Sequence, residues 1–167
     1  MSLRAFCEWM GNTPWSVAIH ESLLMYPIIE SIHVLGICLF FGMVMMLDLR
    51  LLGVTLRGVP VTEVTRKLLP WTFAGFVPMV ITGVLLVYQE PIRAYDSPFF
   101  RAKAVMLILA GLNALAFHTG VYKRVADWDS DPIAPFRARM AGAFSLLLWA
   151  GVIVAGRLIA YNWFAKT

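Results

Sequence analysis

Residues 23–47 read LLMYPIIESIHVLGICLFFGMVMML, an apolar run interrupted by one carboxylate, Glu30, and one imidazole, His33. About 20 apolar residues in a helix cross the hydrocarbon core of a bilayer, so this stretch predicts a membrane span. An ionisable group at such a depth costs at least about 2.5–3.5 kcal/mol, and so faces a bundle interior, a partner charge, a cofactor or a water path. Three further stretches have the same character, at roughly 71–88, 103–122 and 141–162. The expected fold is therefore all-α, an integral membrane four-helix bundle in which residues 1–167 form a single four-span domain. A short interfacial helix is expected before the first span, because Thr13-Pro14 is an N-cap followed by proline at the first helical position. Trp15 and Ile19 would give that helix an apolar edge and leave His20 near the membrane surface.

Composition supports the bilayer as solvent. Hydrophobic residues make up 60% of the chain and charged ones 14%, and the mean hydropathy is +0.74. A soluble domain carries far more charge. The first 14 residues lack the continuous apolar core and small-residue cleavage site of a signal peptide, so the first span is expected to persist in the mature protein. Cys7 and Cys38 have no CxxC spacing and suggest neither a disulfide framework nor a thiolate metal site. The net charge of +4 is spread among loops between spans rather than along a basic amphipathic stretch, which argues against nucleic acid as a partner. The loops near 48–70 and 123–140 carry Arg50, Arg57, Arg66, Lys67, Lys123, Arg124, Arg137 and Arg139. The other side carries Arg4, Arg93, Arg101, Lys103, Arg157 and Lys166. The excess predicts that the two loops lie in the cytoplasm and both termini in the periplasm of a bacterial inner membrane.

Depth decides which polar groups meet. Spans one and three run one way and spans two and four return, so Tyr26, Glu30, His33, Tyr88, Arg101, Lys103, Arg157 and Tyr161 share an outer layer. An inner layer holds Asp48, Arg50, Trp71, Asn113, His118 and Trp149. Tyr26, Glu30, His33 and Ile37 fall on one helix face. Two readings of the outer layer stand side by side. In one it is an ion-pair network, with Glu30 paired to Lys103 or Arg157 and His33 donating to Glu30 or a backbone carbonyl. In the other it is a b-type haem site with His33 as axial ligand, Glu30 or a carbonyl fixing its tautomer, Gly36 leaving room for the ring, and basic residues holding the propionates.

His118 is the other intramembrane histidine and a candidate second ligand. At 1.5 Å per residue His33 lies about 10 Å deep and His118 about 24 Å, a gap that one iron does not easily bridge without helix tilt. Lys103 and Met106 match the depth of His33 better. For His118 the plainer expectation is a hydrogen bond to Asn113 or Arg50. Met43, Met45 and Met46 suggest Cu(I) ligands, but only Met43 and Met46 share a face, which favours packing. Small residues at Ala110 and Ala114 in span three and Gly151 and Ala155 in span four offer close helix contacts, either within the bundle or between two copies of the chain. Pro78 frees a carbonyl one turn earlier and predicts a kink. HExxH, Walker, dinucleotide-turn and nucleophile-elbow motifs are absent.

The stretches YPIIESIHVLG, LDLRLLG, LLPWTFAGF, SPFFRAKAVMLILAGLNALAFH and GRLIAY resemble a family of bacterial four-span membrane proteins of unknown function with an E-x-x-H and D-L-R-L-L-G pattern. The resemblance covers nearly the whole chain. More loosely, a histidine in span one with a lysine opening span three is similar to the four-span protoporphyrinogen oxidases of the HemJ type, which bind haem b. That resemblance implies His33 and Lys103 as the ligands. The CopD-type copper-resistance membrane domain shares the general layout. The chain departs from the HemJ type in its loops and in the distance from Lys103 to His118, so the expectation carried forward is haem binding for electron transfer or haem-linked redox chemistry rather than the oxidase activity. Glu30, Arg101, Arg157 and Tyr161 would surround that haem, and a redox partner or quinone would exchange electrons with it. The competing expectation is a cofactor-free membrane subunit, or a small ion, proton or copper transporter built on the Glu30 layer.

Overall fold

A computed structural model describes residues 2–160. No strand occurs among them. Helices α1 (Leu3–Gly11) and α2 (Pro14–Glu21) precede α3 (Met25–Leu51) and α4 (Val61–Gln89); α5 (Pro91–Asp96) leads into α6 (Pro98–Ala116), and α7 (Phe136–Ala160) closes the chain. Past Ala116 the third long helix loosens into a π turn over Phe117–Val121 and a 3-10 turn over Tyr122–Asp127. Four of these helices are long and apolar enough to cross a membrane: 25–51, 61–89, 98–127 and 136–159. The helices of 61–89 and 98–127 run past their apolar stretches at both ends. α3 starts two residues late and runs on to Leu51, and α7 starts early at Phe136, its expected end at 162 lying outside the described residues.

The α1 helix has no counterpart among the sequence expectations. Its start is set by Ser2, whose hydroxyl accepts from the Ala5 amide at 3.2 Å. Leu3, Phe6 and Trp9 are exposed along it, as is Trp15 on α2, an arrangement suited to the membrane interface. Thr13 occupies the N-cap position of α2 with Pro14 behind it, but its hydroxyl makes no capping bond. Instead it bonds the Tyr88 hydroxyl at 2.5 Å, and the Ser16 hydroxyl donates to the Tyr88 carbonyl at 2.9 Å. These bonds tie α2 to the end of α4.

The long helices pack in series. α3 lies against α4 on one side and α7 on the other, and α6 packs on α7. Glycines set the first crossing: a Cβ on Gly75 would meet the Phe40 amide nitrogen at 2.5 Å, and one on Gly36 would meet the Gly75 carbonyl and Met79 at 3.1 Å. Gly36 is therefore where two backbones touch, and not room for a ring as the haem reading expected. Phe40 also stacks edge-on against Trp149 of α7 at 4.7 Å between centroids. On the far side Ala110 and Ala155 are buried and Gly151 abuts the Met106 sulfur. Ala114 is exposed.

The end of the bundle that carries the loops has its own core of Leu51, Val61, Phe117, Trp128, Ala134 and Ala138. Arg50 organises the loops around it. The residue has 0% exposure, its Nε donates to the Val59 carbonyl at 2.8 Å, and its Nη2 donates to the carbonyls of Asp131 at 3.0 Å and Asp129 at 3.4 Å. Asp129 in turn starts α4, accepting from the Thr62 amide at 2.8 Å and hydroxyl at 2.6 Å. Burial alone would push the Asp129 carboxyl up. The Thr62 and Val61 donors and the Arg50 guanidinium outweigh it and hold the group below the usual carboxylate range.

Candidate functional site

His33 faces α4. Its Nδ1 lies 2.9 Å from the Met79 carbonyl and 3.1 Å from the Thr82 hydroxyl. A carbonyl oxygen only accepts, so the first contact requires the proton on Nδ1 and leaves the Nε2 lone pair free of it. Gly83 makes the approach possible, because a Cβ there would stand 3.0 Å from the ring's Cε1. The Thr82 hydroxyl is itself anchored to the Pro78 carbonyl at 2.5 Å. The ring's orientation thus depends on a Pro78-Met79-x-x-Thr82-Gly83 turn, of which the sequence marks the proline as a kink but not the threonine and glycine one turn past it.

Lys103 reaches the same layer from α6. It is partly buried, its ammonium lies against Gly156 of α7, and its charge acts on His33. Glu30 is also within electrostatic reach of His33, but no ion pair joins it to Lys103 among the described residues. A polar group interacting with Glu30 is the Tyr26 hydroxyl, one turn earlier on the same helix. Arg101 turns away: its guanidinium donates to the Tyr95 carbonyl at 3.1 Å and lies 5.9 Å from that ring's centroid. Arg157 sits in the last turn of α7, and Tyr161 lies outside the described residues.

His118 belongs to the other end. It occupies the π turn, is exposed, and packs edge-on against Phe117 and Tyr122 at 5.4 Å. The residues expected to bind it are engaged elsewhere: Asn113 donates to the Ala141 carbonyl at 3.0 Å, and the Arg50 contacts are those described above. The structure therefore does not bring His33 and His118 to one place. Met106, placed at the depth of His33, turns its sulfur to Gly151. No group of three or more His, Cys, Asp or Glu side chains that would hold a bare metal ion occurs among the described residues.

The E-x-x-H and D-L-R-L-L-G stretches thus do different things, the first building a polar layer and the second the loop-end core. A model of a family of unknown function, DUF6644, matches residues 17–162. The chain belongs to this family. The match takes in all four long helices and leaves out α1 and the first turn of α2. No curated protein and no solved structure matches the chain.

Proposed function

We propose that this DUF6644 member is a multi-pass membrane protein that binds a b-type haem in the layer of Glu30, His33 and Lys103, and serves electron transfer or haem-linked redox chemistry. The observation that carries the reading is the bond between His33 Nδ1 and the Met79 carbonyl. Histidines that ligate a metal through Nε2 almost always donate the other ring proton to a carbonyl or carboxylate, which fixes both tautomer and ring orientation. Here the donor chemistry fits a porphyrin iron, which takes one or two protein ligands, better than a bare ion, which needs a fuller set. When bound, haem supplies one-electron chemistry at a potential tuned by its ligands and surroundings.

The roles fall to this chain's own residues. His33 would hold the iron through Nε2, and Met79 and Thr82 would keep the imidazole ring aimed. Lys103 would join it from α6, either as a ligand through its amine or as a charge balancing the propionates. Tyr26 would keep Glu30 oriented beside them. Spectra of protein purified after expression with ample haem test the reading. A Soret band with reducible α and β bands is expected, lost in His33→Ala and retained in His118→Ala. A colourless wild type, or a His33→Ala variant that keeps the band, overturns it.

A further inference from the structure

Asp48 is the one buried aspartate among the five in the chain. It lies one turn before the end of α3 with 5% exposure, and its Oδ2 is buried with no hydrogen-bond partner. The side-chain hydrogen-bonding group facing it is the Ser145 hydroxyl of α7, itself 9% exposed. Around this pair the helices are tightly apposed, since a Cβ on Gly142 would stand 3.1 Å from the Asp48 carbonyl. Among the described residues no ion pair reaches the carboxylate, and the buried Arg50 Nη1, which has no hydrogen-bond partner, does not bond it. Arg50 on the same helix turns its Nε and Nη2 to the loop carbonyls, and Glu63 holds Lys67 of α4 at 2.7 Å. Arg66 of α4 and Arg137 and Arg139 of α7 are exposed.

An unpaired carboxylate in a low-dielectric interface costs several kcal/mol, and a single hydroxyl donor does not offset that. The three side-chain oxygens of Asp48 and Ser145 fall well short of the six or more that a hard cation takes. We infer that Asp48 and Ser145 form a proton-binding site between α3 and α7: the Asp48 carboxylate takes one proton from the loop-side solution, forms an O–H bond and is held as the neutral acid at neutral pH. The site stands apart from the His33 layer, at the opposite end of the bundle, and its test does not depend on haem.

Infrared spectra of the membrane-embedded full-length protein provide that test. At neutral pH a carbonyl-stretching band of a protonated carboxyl is expected, shifted by ¹³C-labelled aspartate and lost in Asp48→Asn. The band should also move in frequency in Ser145→Ala, because its hydrogen bond is lost. The amide is nearly isosteric with the neutral acid, so Asp48→Asn should leave the thermal midpoint at neutral pH within a few degrees of wild type. If that variant fails to fold, the label shift together with the Ser145→Ala displacement still decides the matter. A wild-type spectrum without a label-sensitive protonated-carboxyl band, or a band indifferent to both substitutions, would overturn the inference.

Discussion

Arg50 shows how a residue's role depends on where distant loops fold. In the sequence it is one more cation near the end of a span, and it adds to the charge count that sets topology. In the structure its guanidinium is fully buried and serves carbonyls of residues 59, 129 and 131, from two loops far apart in the chain. Nothing local in LDLRLLG specifies that. The fork geometry matters, since a lysine offers a single point charge and cannot reach two loops at once. Arg50→Met should leave acceptors unsatisfied at about 1–3 kcal/mol each, and Arg50→Lys should recover little of the loss. Thermal unfolding in detergent, followed by helicity, would read this as a fall of several degrees in both variants. Arg66→Met is the control: that residue is exposed, and its removal should change stability by less than about 0.5 kcal/mol. Equal midpoints for Arg50→Met and Arg66→Met would remove Arg50 from its place as the loop anchor. His33 carries a similar lesson. Its place in a span was legible from one glance at its neighbours, but the acceptor that fixes its ring is a backbone carbonyl on α4, and no side-chain pattern encodes it.

At the level of elements, hydropathy locates the four long helices because a bilayer-spanning segment has no alternative to internal hydrogen bonding. It does not locate their ends. The α4 helix starts at Val61, well before the apolar stretch near 71, because Asp129 caps it from another loop. Pro70 and Pro78 both lie inside it without ending it. Which faces meet is also only partly legible, since small residues mark close approach without saying against what. Gly36 illustrates the ambiguity: the space it leaves is filled by α4. Gly75 should therefore be the least replaceable glycine in the bundle, as a methyl there would collide with the backbone of α3 at Phe40 and Gly36. Gly75→Ala should lower stability by about 1–3 kcal/mol, the usual effect of overpacking. Gly42→Ala on α3 and Gly111→Ala on α6 meet nothing within 4 Å and should be neutral or stabilising, by up to about 1 kcal/mol from helix propensity. Indistinguishable unfolding midpoints for Gly75→Ala and Gly42→Ala would mean that α3 and α4 cross elsewhere.

For the whole molecule, the helix order places both described chain ends on one side and the 52–60 and 128–135 loops on the other. Exposed cations at the loop end comprise Arg57, Arg66, Lys67, Lys123, Arg124, Arg137 and Arg139, with the buried Arg50 behind them. The opposite side has Arg4, Arg93, Arg101, Lys103 and Arg157, of which Lys103 is drawn into the bundle. Short loops rich in Lys and Arg resist translocation, so the loop end is predicted to face the cytoplasm. Interfacial aromatics agree with a membrane surface at the other end, where Trp9 and Trp15 are exposed on α1 and α2. A reporter that is active only in the cytoplasm should be silent when fused after Thr167 and active when inserted at Gly58, in the exposed part of the first loop. The reverse pattern would turn the molecule over in the membrane. The His33 layer would then lie toward the cytoplasm and the Asp48 pair toward the periplasm, and a proton taken up at Asp48 would come from the periplasmic solution.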